Sequence, residues 1–145
     1  MKLSHLLGAL GLLALANNAL AQSQPAVEVF KSPTCGCCGQ WVEHMRQAGF
    51  LVTVHNVSDT SATRHKFGIP DRYGSCHTAK VAGYAIEGHV PAADVKRLLA
   101  EKPKAVGLAV PSMVPGSPGM ESSDPVAYTT LLIKSDGNTQ VFAHH

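Results

Sequence analysis

Apolar and polar residues alternate over Val27-Glu28-Val29-Phe30, and this run of strand formers predicts a first β-strand. Ser32-Pro33-Thr34 interrupts it, with Thr34 standing where a helix N-cap is expected. Trp41, Val42, Met45 and Ala48 then recur at helical spacing until Gly49. Phe50 to Val57 predicts a second strand. Ser58-Asp59 caps a short helix running to about Phe67, and Gly68-Ile69-Pro70 marks a turn. Ala79 to Ala85 and Tyr84 to Gly88 read as an extended stretch or hairpin centred on Gly83. Pro91 opens a third helix with Val95, Leu98 and Leu99 on its apolar face, and Pro103 closes it. Near the end, Tyr128 to Lys134 and Thr139 to Ala143 flank Asp136-Gly137, a strong hairpin signal.

The order β-α-β-α-β-β-α predicts an α/β fold of thioredoxin-like type. It has a central mixed sheet flanked by helices and an added C-terminal hairpin. Between the third helix and that hairpin, residues 102–125 hold five prolines, three glycines and no helical or strand pattern. A loop of that length in a compact domain serves function or stays disordered.

The first residues change the picture of location. Met1-Lys2 is a short basic start, Leu6 to Leu15 is apolar, and Ala19-Leu20-Ala21 is a small-x-small cleavage site. Residues 1–21 are expected to be a cleaved export signal, too short for a lasting membrane anchor, with residues 22–145 a single domain. Export implies an oxidising compartment, a bacterial periplasm. The mature chain would carry eleven basic against ten acidic residues. A balance so near zero argues against nucleic acid or a membrane surface as partner.

Chemistry concentrates in Cys35-Gly36-Cys37-Cys38, three of the four cysteines in the chain. Cys35 and Cys38 have the spacing of a dithiol redox centre, but a dithiol enzyme has no use for Cys37. The motif falls where a strand hands over to a helix N-terminus, where free N–H groups and the helix dipole stabilise thiolate. Cys76-His77 precedes the third strand and could bring a fourth thiol to the same place. His89, in Gly88-His89-Val90-Pro91, is a candidate ligand or helix cap at the same sheet edge. Met113 and Met120 lie among prolines, glycines and serines rather than on an amphipathic face, which favours thioether ligation over core packing. Met45 fits the helix stripe, and His44, His55 and His65 read as surface positions. His144-His145 reads as a frayed or truncated end rather than a terminal metal hook. Cysteine and methionine together select Cu(I) over zinc and iron–sulfur clusters. Cys35-x-Cys37-Cys38 is too cramped for the two spaced knuckles of a zinc site, whereas adjacent thiolates bridge several ions.

Five segments carry a resemblance: Ser32-Pro-Thr-Cys-Gly-Cys-Cys38, Ser75-Cys-His-Thr-Ala79, Tyr84-Ala-Ile-Glu-Gly-His-Val-Pro91, Gly107-Leu-Ala-Val-Pro111 and Gly116-Ser-Pro-Gly-Met-Glu121. Together they resemble the CopG-like periplasmic copper-resistance proteins. The resemblance implies a thioredoxin-like domain holding a cysteine-bridged cluster of several Cu(I) ions. Cys35, Cys37, Cys38 and Cys76 then carry over as cluster cysteines, and His77, His89, Met113 and Met120 as nearby metal candidates. The family's loop reads Val-Pro-Gly-Met-Pro, whereas this chain has Val110-Pro-Ser-Met-Val114. The implied partners are copper ions and other periplasmic copper-handling proteins. A thiol–disulfide oxidoreductase using Cys35 and Cys38 stands as the alternative, and an iron–sulfur carrier as a third reading.

Overall fold

The computed structural model describes residues 25–145. The export signal expected over residues 1–21 lies outside the described residues. No helix among the described residues is long and apolar enough to cross a membrane.

The described residues form seven strands and three α-helices: β1 (Val27–Lys31), α1 (Gly36–Gln47), β2 (Val52–Asn56), α2 (Thr60–Lys66), β3 (His77–Val81), β4 (Tyr84–Gly88), α3 (Ala92–Glu101), β5 (Gly107–Val110), β6 (Thr129–Ile133) and β7 (Thr139–His144). All strands join one mixed sheet in the order β2-β1-β3-β4-β5-β6-β7. The β1–β2 and β4–β5 pairs are parallel, and the other four are antiparallel.

Local chemistry accounts for most boundaries. Gly49 stops α1 in the left-handed region, at φ 93°. Asp59 caps α2 by accepting from the Ala62 N–H at 3.0 Å. Ala82 and Gly83, both at positive φ, make the tight β3–β4 turn.

The two faces of the sheet bury different partners, as the period of two along a strand requires. Val27, Val29, Ala79, Val81, Ile86, Leu108 and Val110 pack in one cluster with Trp41, Val42 and Met45 of α1 and Val95 and Leu98 of α3. Ala85, Ala109 and Ile133 form a smaller cluster with Ile69, against which Phe67 and Tyr73 pack. Glu87 and Thr78, both fully buried, lie among the strand residues outside the larger cluster.

Two expectations need correction. Thr34 is not the cap of α1. The N-cap is Cys35, which makes no capping side-chain bond, and the Thr34 hydroxyl lies 3.1 Å from that of Ser32. The stretch 102–125 is not a structureless loop throughout, because Gly107-Leu-Ala-Val110 is a fully buried strand inside the sheet. Four residues buried on both faces show no alternation, and glycine and alanine are weak strand formers, so no pattern announced it. The segment without helix or strand is therefore residues 111–128.

Gly107 shows how closely β4 and β5 approach: a Cβ there would run into the Ala85 backbone carbonyl. Gly107→Ala is expected to destabilise the fold by roughly 1–3 kcal/mol, the range for overpacking a filled site. Thermal denaturation against wild type measures it, and an unchanged midpoint would contradict this view of the β4–β5 seam.

Candidate metal centre

The register of β1 and β3 assembles the site. Lys31, the last residue of β1, pairs with His77, the first of β3. The chain therefore leaves β1 into Ser32–Cys35 beside the point where Cys76 enters β3. Gly36, Cys37 and Cys38 form the first turn of α1, where backbone N–H groups lack helical partners. Cys38 faces the core and is fully buried, while Cys35, Cys37 and Cys76 are half-buried. The four Sγ atoms all lie within 4.8 Å of one another, with Cys35 and Cys37 at 3.5 Å. Cys35 and Cys38 are joined as a disulfide, and Cys37 and Cys76 are free thiols. Burial pushes the Cys76 thiol above its usual pKa, and the neighbouring Cys37 adds to the rise.

Two of the predicted histidines, His77 next to Cys76 in sequence and His89, are buried, and neither joins the group of four sulfurs. His77 is fully buried, its ring 4.5 Å from that of Trp41 and 5.1 Å from that of His89. Burial drives its pKa down to about 3, so the ring is neutral. Neither of its nitrogens has a hydrogen-bond partner. His89 is also buried, and burial lowers its pKa. Its Nδ1 lies 2.8 Å from the Pro118 carbonyl oxygen, which can only accept, so Nδ1 carries the proton. Nε2 is left as a bare lone pair, buried and unpartnered. Unpaired buried nitrogens cost free energy and call for a physical reason. A metal-binding role fits them, because a ligating imidazole keeps one nitrogen free and anchors the other to a carbonyl.

The segment 111–128 folds back onto the start of α1. Gly119, at φ 81°, sits so close that a Cβ would lie 2.7 Å from Trp41 N and 2.8 Å from the Cys37 carbonyl oxygen. Met120, next in sequence, lines a groove with Gly36, Cys37, Gln40 and Glu121. Met113 is not among the residues of that groove and is 46 % exposed. Glu121 was missed as a site residue. Its carboxylate accepts from Gly119 N–H at 2.7 Å, which holds its pKa below the usual range. Only its place beside Met120 in the sequence hinted at it.

Other histidines depart from expectation. His44 is not a free surface residue, because its Nε2 accepts the Ala92 N–H at 3.0 Å and so caps α3. His145 is not frayed. It pairs through its backbone with Tyr128, and its Nε2 lies 2.9 Å from Asp94 Oδ2. Trp41 packs beside the site as expected, donating its indole N–H to the Val90 carbonyl at 2.9 Å.

A mixed α/β chain with three sulfurs at a helix N-terminus and a fourth beside them defines a class, that of thiol-based centres for a soft metal or for disulfide exchange. A solved structure of copper resistance protein CopG, form 2, matches with a TM-score of 0.80 and 42% identity, over 84% of this chain and 98% of that one. Form 1 of CopG matches with a TM-score of 0.79 at 42% identity over the same shares. Residues 73–120 match a family model described as a protein of unknown function, DUF411. No curated protein matches the chain. The chain belongs to the CopG copper-resistance protein family.

The sulfur geometry gives a direct expectation. Denatured without reductant, the protein should titrate with two thiols, Cys37 and Cys76, and after reduction with four. Thiol counting with mass mapping checks this. A Cys37–Cys76 or Cys35–Cys37 disulfide in the unreduced protein would contradict it.

Proposed function

We propose that this is an exported copper-handling protein that holds several Cu(I) ions on Cys35, Cys37, Cys38 and Cys76 and acts in copper resistance. The observation that carries the reading is the four Sγ atoms lying within 4.8 Å of one another, contributed by two separate parts of the chain. Sulfurs this close cannot each find an independent tetrahedral ion, but they can share ions as bridges. Four thiolates cancel the charge of four Cu(I), which suits a half-buried site. His89 Nε2 and His77 supply neutral nitrogen lone pairs, and Met120 a neutral thioether at the mouth of the groove. Membership of the CopG family supports copper as the metal, and the leader-like residues 1–21 support a periplasmic location. We read β1-α1-β2-α2-β3-β4-α3 as a thioredoxin-like unit to which β5, β6 and β7 are added.

The Cys35–Cys38 disulfide is a closed form of the same site. Two of the four sulfurs are then no longer thiolates, so the disulfide and the four-thiolate cluster exclude each other. Opening it takes two electrons from a thiol reductant. The same disulfide favours a second reading, a thiol–disulfide oxidoreductase, because it lies at a helix N-terminus. Cys37 separates the two. An oxidoreductase using Cys35 and Cys38 keeps its insulin-reduction turnover in Cys37→Ala, whereas the copper protein loses most of its metal.

Anaerobic loading of reduced protein with Cu(I), followed by desalting and metal analysis, is expected to give several copper equivalents per chain. Cys37→Ser and Cys76→Ser should each lower the count, and to similar extents. A single retained zinc with no copper would overturn the reading.

The methionines are expected to support the cluster without founding it. With both Met113 and Met120 changed to Leu, bulk is kept and sulfur removed, so the melting temperature should hold. Competition with a Cu(I) chelator should show weaker retention or faster air oxidation. Equal affinity and equal oxidation rates would mean that neither thioether serves copper.

A further inference from the structure

We propose that Glu87, a residue with no place in the metal site itself, is the positioning residue that holds Cys76 in the four-sulfur group. Its consequence for metal rests on the copper reading above, but the positioning itself does not.

Glu87 lies on β4 and is wholly buried. A buried carboxylate is costly unless every lone pair is used. Here each oxygen is used, and the donors bracket the Cys76-His77 dipeptide. Oε1 accepts the Ser75 N–H at 2.7 Å, on the N-terminal side. Oε2 accepts the Thr78 hydroxyl at 2.6 Å, on the C-terminal side. Oε1 also accepts from Arg64 Nε of α2 at 3.1 Å, and the remaining guanidinium reach goes to Asp71 at 3.0 Å. The carboxylate thus ties α2 and β4 to both ends of the segment that carries Cys76.

Packing makes the same segment rigid. A Cβ on Gly74 would sit 2.6 Å from Arg64 Cζ, so the guanidinium lies directly on the backbone there. A Cβ on Gly88, at φ 71°, would sit 2.6 Å from Ser75 Cβ. Beyond Ser75 the network continues to the start of the methionine segment. Ser112 donates its N–H to the Gly74 carbonyl at 3.0 Å, and the Ser75 hydroxyl donates to the Ser112 carbonyl at 2.5 Å. Ser112 itself is at φ 67°, an unusual conformation for a residue with a side chain, held by these two bonds. One carboxylate therefore anchors the residue before Cys76, and through it the residue before Met113.

On its other side His77 pairs with Lys31 in the β1–β3 ladder, which sets the strand register and brings Cys76 beside the Cys35–Cys38 turn. Within that register the hydrogen bonds of Glu87 to Ser75 and Thr78 fix the residues on either side of Cys76-His77.

The test uses Glu87→Gln, which keeps shape, with Thr78→Val, which removes the hydroxyl donor to Oε2, as a milder variant should the first fail to fold. Two readouts separate positioning from stability. The first needs no metal: alkylation rates of Cys76 and Cys37 in reduced protein, mapped by mass spectrometry. Glu87→Gln or Thr78→Val should change the Cys76 rate several-fold and leave that of Cys37 alone. A lower melting temperature with unchanged Cys76 reactivity would overturn the proposal. The second is a double-mutant cycle on Cu(I) affinity, by chelator competition. Loss of an outer partner of a ligand typically costs about 10–100-fold in affinity, and Glu87→Gln should fall in that range. Combined with Cys76→Ser it should cost no more than Cys76→Ser alone. Additive losses would overturn the proposal. A shifted Cys76 rate with copper affinity unchanged in every variant, Cys76→Ser included, would uphold the positioning and strike the copper reading instead.

Discussion

The antiparallel register of β1 and β3, with Lys31 opposite His77 and Val27 opposite Val81, is the constraint on which the site depends. It makes the exit of one central strand and the entry of its neighbour meet at one sheet edge. The exit carries Cys35, Cys37 and Cys38, and the entry carries Cys76. A slip of one residue would turn every side chain of β3 to the opposite face. Ala79 and Val81 would leave the larger core cluster, and Thr78 would leave Glu87. The apolar alternation of β3 and the bracketing hydrogen bonds of Glu87 therefore oppose the same slip, and keep the fourth sulfur beside the other three.

The buried polar groups of the interior are of two kinds. Glu87, Arg64, Thr78 and Asp94 are buried and have partners. They behave as fasteners, which repay desolvation only because each hydrogen bond is made. His77 and His89 are buried with bare nitrogens. Each bare nitrogen costs free energy in that form, although the His77 ring packs on Trp41 and His89 donates to the Pro118 carbonyl. This contrast separates the scaffold from the chemistry more sharply than burial alone, since Glu87, His77 and His89 are all fully buried.

The segment 111–128 couples these halves. It closes over α1 at Gly119, offers the Pro118 carbonyl to His89, and starts from a Ser112 pinned to Gly74 and Ser75. Its own turns are closed by backbone bonds such as Gly116 N–H to the Met120 carbonyl and Val126 N–H to the Pro115 carbonyl, and the outside contacts fix it against the rest of the fold. Met120 and Glu121 reach the groove beside Cys37 as a result, while Met113 stays at the surface.

Local patterns in the sequence sufficed for much of this protein. Alternation and helical spacing located β1, α1, the β3–β4 hairpin, α3 and the β6–β7 hairpin, because those elements are amphipathic and bounded by glycine, proline or aspartate. The motif Cys35-Gly36-Cys37-Cys38 declared a thiol centre, since three sulfurs so close have chemistry at any fold. What the sequence left open was long-range. β5 is buried on both faces and has no period to read. Thr34 has the composition of a cap, but the turn of Ser32 and Pro33 delays the helix by one residue. Glu87 sits in an apolar strand where the period of two assigns a lone acid to solvent, and only the arrival of α2 with Arg64 makes that face an interior. Cys76 could be placed near the other cysteines only by assuming a fold. Its distance from them depends on strand register and on partners far apart in the chain, and those are set by packing of the whole sheet rather than by any local run of residues.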